Sequence, residues 1–141
     1  MKIVLAAAAG VVLSGLVPAF ASDAQASVAE DCAFTETLAR SSMAARVGGL
    51  SRSEAESGVL PTTDIRQPAS QLSYMVMMQA WDADLSSLGG AQQAPDAFAA
   101  QQLETCIRNL SDPQLSEQWF RDAAAYTRSR GGPQVQRQLN R

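Results

Sequence analysis

Apolar residues recur along this chain at three- and four-residue spacing, in stretches separated by glycine, proline and serine. The first such stretch runs from about Val28 to Val47. Val28, Cys32, Ala39 and Met43 fall on one helical face, with Phe34 and Leu38 widening it on one side. Gly48-Gly49 stops it, because a left-handed C-cap favours a residue without Cβ. Ser51-Arg52-Ser53-Glu54 then reads as a capping box for a short turn of helix ending near Gly58. Pro61 and Pro68, with Thr62, Thr63 and Asp64 between them, predict an ordered linker from Gly58 to Ala69.

The tidiest stripe follows, over about Ser70 to Leu88, where Tyr74, Met78, Trp81, Leu85 and Leu88 alternate four- and three-residue steps until Gly89-Gly90. A further helix spans about Asp96 to Leu110, carrying Ala99, Leu103, Cys106 and Leu110 on one face and Phe98 and Ile107 beside it. Asp112 caps the last long helix, with Pro113 suited to its first position and Leu115, Trp119, Ala123 and Tyr126 as its inner stripe. Alternating β patterns and internal repeats are absent. The fold class is therefore all-α: a small bundle of about four helices, occupying residues 22–130 as a single domain. After Gly131-Gly132-Pro133, residues 131–141 read as a flexible basic C-terminal tail with little to bury.

Ahead of these helices lies a different pattern. Met1-Lys2 forms a short positive region, Ile3 to Val17 is apolar, Pro18 breaks it, and Ala19-Phe20-Ala21 supplies small residues where a signal peptidase reads. Residues 1–21 are expected to be a signal peptide that is removed, which makes the protein exported, either periplasmic or extracellular. Ala24-Gln25-Ala26 offers a second cutting triplet. The rival reading is a membrane anchor, since about 20 apolar residues cross a bilayer. Pro18, the weakly hydrophobic Ala6 to Ala9 and the lack of a basic stop-transfer cluster argue against it. No stable membrane span is expected after cleavage.

Composition then removes functions. There is no histidine, and the only lysine is Lys2. A Ser-His or Cys-His nucleophile pair is thereby excluded, as is Schiff-base lysine chemistry in the exported chain. Two cysteines without histidine cannot complete a structural zinc site. No cofactor and no metal site is expected, although carboxylate-only hydrolysis and oxygen-ligand metal binding survive the composition. Charge is uneven. Residues 22–120 carry thirteen acids and five arginines, whereas residues 121–141 carry five arginines and Asp122 alone. With a net charge of −3 and an export signal, nucleic acid is a poor partner.

Three constellations remain. Cys32 and Cys106, each on the inner face of a predicted helix in an oxidising compartment, are expected to form a structural disulfide. Neither belongs to a Cys-x-x-Cys pair that would suggest redox work. Tyr74, Met75, Met77, Met78 and Trp81 form the densest cluster of soft side chains, read either as core or as a partner-binding face. Copper(I) favours such thioethers, but consecutive helical residues diverge by about 100°, so these methionines cannot converge alone. Trp81-Asp82-Ala83-Asp84 pairs carboxylates beside an aromatic, yet i and i+2 positions diverge on a helix and a solvated face explains them better. The expectation is an exported, non-enzymatic protein that binds another protein or an envelope component, with no catalytic motif. The alternatives are a carboxylate-dependent polysaccharide hydrolase, with Asp82, Asp84, Glu104, Glu117 and Asp122 as its acids, and an acid-responsive periplasmic chaperone.

Overall fold

The computed structural model describes residues 23–141, with side chains from Ser27 onward. The segment read as a signal peptide lies outside the described residues. Six α-helices follow in order: α1 (Asp23–Val47), α2 (Arg52–Val59), α3 (Pro68–Asp82), α4 (Ala94–Leu110), α5 (Pro113–Arg130) and α6 (Pro133–Leu139). A single 3₁₀ turn, Leu60–Thr62, follows α2. No strand occurs among the described residues, and no helix there is long and apolar enough to cross a membrane.

Local chemistry sets most of the boundaries. The α1 terminus is a Schellman turn: Leu50 N donates to Ala45 O and Gly49 N to Arg46 O, each at 3.0 Å, with Gly49 at φ 95°. Ser51 and Glu54 form the anticipated capping box. Asp112 caps α5 by accepting from Gln114 N and Leu115 N at 2.8 and 3.2 Å. The buried hydroxyls of Ser42 and Thr127 return to carbonyls one turn back, so neither costs an unsatisfied group.

One boundary departs from the periodicity. The Tyr74 stripe predicts helix to Leu88, but α3 ends at Asp82 and Ala83 is extended. Arg46, from the last turn of α1, donates to the carbonyl oxygens of Ala80 and Ala83, both at 2.6 Å. A cation there satisfies carbonyls that have no partner in their own helix. Asp84 then organises a turn by accepting from Ser86 N and Ser86 Oγ. Leu85 and Leu88 still reach the core, now from this turn rather than from a helix.

The four long helices pack as a ring: α1 contacts α4 and α3, and α5 closes it by contacting both α3 and α4. Cys32, Met43, Val76, Phe98, Cys106 and Trp119 fill its centre. Cys32 and Cys106 are bonded, with Cα atoms 5.5 Å apart, and tie α1 to α4. The disulfide expected from the sequence is present, and the expected bundle forms the core of a six-helix structure.

The two additional helices are α2, which the Ser51–Glu54 capping box predicts as a short turn of helix, and one at the C-terminus. Residues 131–141 were expected to be a flexible tail; instead residues 133–139 form α6, with Val135 fully buried. The reason is a second hydrophobic cluster in which Val135 meets Ala55, Leu60, Ile65, Tyr74, Met77 and Met78. Gln138 ties α6 to the linker, donating to Leu60 O at 3.1 Å and accepting from Ile65 N at 3.4 Å. Gly131 and Gly132 permit this docking through size rather than dihedral freedom. A Cβ on Gly131 would collide with Thr127 O and Val135, and one on Gly132 with the Glu56 carboxylate.

Candidate functional site

Most of the Met- and aromatic-rich stretch of α3 is covered by the rest of the protein. Tyr74, Met75, Met77 and Met78 are buried, and Trp81 is half-buried, its indole N–H donating to Leu50 O at 3.0 Å. The physical reason is that α3 is enclosed on several sides. Met75 faces the four-helix core, Met77 and Met78 face the cluster under α2 and α6, and Trp81 packs against both. Their divergence around the helix is what lets one segment serve two clusters.

An apolar opening in the surface lies beside this stretch, along the seam between α1 and α3. One lobe of about 350 Å³ is lined by Phe34, Leu38, Val59, Leu60, Thr63, Ile65, Ala69, Ser70, Ser73, Tyr74 and Met77. A second lobe, of about 240 Å³, extends toward Leu72, Val76, Leu110, Trp119 and Phe120. Phe34, Leu38, Ala69 and Ser73 line both, so the lobes are two ends of one cleft. Side-chain size explains the opening. Where α3 faces Phe34 and Leu38, it presents Ala69, Ser70 and Ser73, which are too small to fill the space.

Phe34 is the most exposed large apolar side chain described, at 62 %, and stands on the lip of this cleft. A lone exposed aromatic is ordinary, but one beside an apolar depression makes a continuous patch. The lining is almost free of charge: Asp31 is its only ionisable acid or base other than Tyr74. Glu30 lies one helical turn before Phe34 and is exposed. Neither acid makes an ion pair among the described residues, whereas nearby Arg66 is engaged by Asp64, and Arg40 by Glu36 and Asp96.

The main polar cluster lies elsewhere, where α2, α3, α5 and the α6 turn converge. Tyr126 donates to Asp82 Oδ2 at 2.5 Å, and Arg52 and Arg130 each donate to Asp82 Oδ1 at 2.8 Å. Arg52 also lies over the Tyr126 ring and donates to its hydroxyl. Burial on its own would raise the pKa of Asp82, but the Tyr126 hydrogen bond and the two guanidiniums outweigh it and hold it below the usual value. Alongside, Glu56 accepts from the Tyr74 hydroxyl and from Gly132 N. Burial and the adjoining carboxylate push Tyr74 well above an ordinary tyrosine. These groups satisfy one another and join four elements; they present no free acid or base to a substrate.

The remaining carboxylates of interest are dispersed. Asp84 organises its own turn, Glu104 is exposed on α4, Glu117 pairs with Arg121, and Asp122 accepts from Gln118. None of these four, nor Asp82, lines the cleft. No group of three or more Cys, Asp or Glu side chains is placed to hold a metal among the described residues. No family model, no curated protein and no solved structure matches this chain. Sequence periodicity missed the cleft because it singles out large apolar residues, whereas small ones create the space. A usable signal was present in the Phe34 and Leu38 pair, four residues apart and off the Cys32–Ala39–Met43 stripe.

Proposed function

We propose that this is an exported, non-enzymatic binding protein whose work is to hold a segment of another polypeptide in the cleft between α1 and α3. One observation carries the reading: Phe34 stands exposed on the lip of an open apolar cleft that the protein's own small residues leave unfilled. An unfilled apolar depression forfeits contacts that a ligand's side chains can supply. Hydrolysis by paired carboxylates has no comparable support, since its acids are engaged or scattered over separate elements. The proposed site lies along the α1–α3 seam, where Tyr74 and Met77 of the α3 cluster contribute to the wall.

Site-specific photocrosslinking tests the proposal. A photoreactive side chain at position 34 should yield a defined covalent adduct in the host envelope, while the same group at position 128, away from the cleft, should not. The adducted polypeptide, once purified, should bind the protein and lose that binding in Phe34→Asp. Equal labelling from both positions, or binding indifferent to Phe34→Asp, would reject the cleft as the site.

A further inference from the structure

The electrostatics of the cleft, taken with the binding role proposed above, narrow the occupant. Its floor and walls offer an apolar trough without a cation, and its one acidic lining side chain is Asp31. Glu30 extends the negative rim beside Phe34, on the same side of α1. Three arginines on the elements around the cleft are paired: Arg66 with Asp64, Arg40 with Glu36 and Asp96, and Arg121, next to Phe120, with Glu117. Arg108, on α4, does not line the cleft. An anionic ligand, such as a fatty acid or an acidic peptide, would bring a carboxylate to a rim that already carries two. A cationic one would find two carboxylates that make no ion pair among the described residues.

Shape supplies the second constraint. The wall formed by α3 runs from Ala69 to Met77, which at 1.5 Å per residue is about 12 Å, or roughly two turns of an apposed helix. A trough of that length suits side chains at i, i+3 or i+4, and i+7 of an amphipathic helix. We infer that the cleft takes the apolar face of a cationic amphipathic helix, with its lysines or arginines flanking that face and meeting Glu30 and Asp31. Phe34 packs onto the helix from the lip, and the space left by Ala69, Ser70 and Ser73 receives the central anchor.

Titrations of the purified protein with tryptophan-free probes test this, read by intrinsic tryptophan fluorescence, to which Trp119, lining one lobe, contributes. The probes are a Leu/Lys amphipathic helix, a Leu/Glu helix of the same pattern, a Ser/Lys peptide without an apolar face, and a neutral alkyl maltoside below its micellar concentration. The Leu/Lys helix should bind saturably, with the Leu/Glu helix at least about tenfold weaker and the Ser/Lys peptide silent. Phe34→Asp should weaken the Leu/Lys helix by about tenfold or more at an unchanged melting temperature. Glu30→Gln combined with Asp31→Asn should bring its affinity down toward that of the Leu/Glu helix and flatten its salt dependence. Ser73→Phe should block it by filling the cleft from the opposite wall. Equal binding of both helices, or Phe34-dependent binding of the maltoside alone, would overturn the cationic-helix assignment while leaving an apolar site. Absence of Phe34-dependent binding by any probe would remove the binding reading itself.

Discussion

The ring around the disulfide and the patch under α2 and α6 are held together in different ways. In the ring, a cystine, Met43, Phe98 and Trp119 make a nearly all-apolar centre in which long helices supply their inner stripes. In the patch, a few apolar residues are clasped by polar groups distant in sequence: Glu56 with Gly132, Gln138 with Leu60, and Asp82 with Arg52 and Arg130. The ring gains from burial that tolerates small shifts, because the hydrophobic effect is non-directional. The patch depends on aligned hydrogen bonds around buried polar atoms, where losing one partner leaves the other unsatisfied. The ring should therefore govern global stability and the patch local order.

Reducing the disulfide should separate the two most. Opening a crosslink that spans 74 residues removes about 4 kcal/mol in the chain-entropy account, and the melting temperature of Cys32→Ala/Cys106→Ala should fall by more than about 10 °C. A shift of only a degree or two would place the main stability elsewhere. Trp119→Ala comes next, at about 3 kcal/mol in chemical denaturation, with Trp119→Phe much milder because the cavity is smaller. The half-buried Trp81 should cost less on the same truncation, losing part of its packing and the hydrogen bond to Leu50 O.

Gly132→Ala probes the patch. The new methyl collides with the Glu56 carboxylate, so the Gly132–Glu56–Tyr74 connection must loosen, at about 1 to 3 kcal/mol. Amide exchange should accelerate first in α6, with α1 and α4 still protected; uniform acceleration would show that the two regions unfold as one. Arg46→Met, which removes the cation from the end of α3, should cost about 1 kcal/mol and fray its last turn.

The smallest effect is that of acid. The folded pKa of Asp82 is held below its ordinary value, so its contribution is complete above that value and fades as pH falls through the folded pKa. Acidification below about pH 4 should therefore loosen the α2–α3–α5 junction, seen as faster exchange near Tyr126. Asp64, depressed to about 2 by its hydrogen bonds from Arg66, should keep its local turn until the pH falls through about that value. Tyr126 works in the opposite sense. Burial and the Asp82 hydrogen bond raise its pKa, so its contribution is intact below pH 10 and is lost only at higher pH. An Asp82→Asn variant with an unchanged acid profile would show that other carboxylates control the transition.

Much of the architecture was legible in the residues themselves. The positions of the long helices followed from apolar spacing, the Ser51–Glu54 box and the Asp112 cap from local hydrogen-bond chemistry, and the Cys32–Cys106 link from an even cysteine count on two inner faces. These features involve neighbours within a turn, or a covalent bond with a single possible pairing. What the tertiary structure alone decided involves partners far apart. The early end of α3 is set by Arg46 from another helix, and the α3 methionines are buried because two clusters lie on either side of them. The supposed tail became α6 because Val135, Gln138 and Gly132 found Ile65, Leu60 and Glu56 more than sixty residues away. The cleft had no single segment to announce it, since it is the gap between Phe34 and Leu38 on one helix and Ala69, Ser70 and Ser73 on the next. Periodicity states which side chains share a face; only packing determines what covers that face, and where the cover is too small to close.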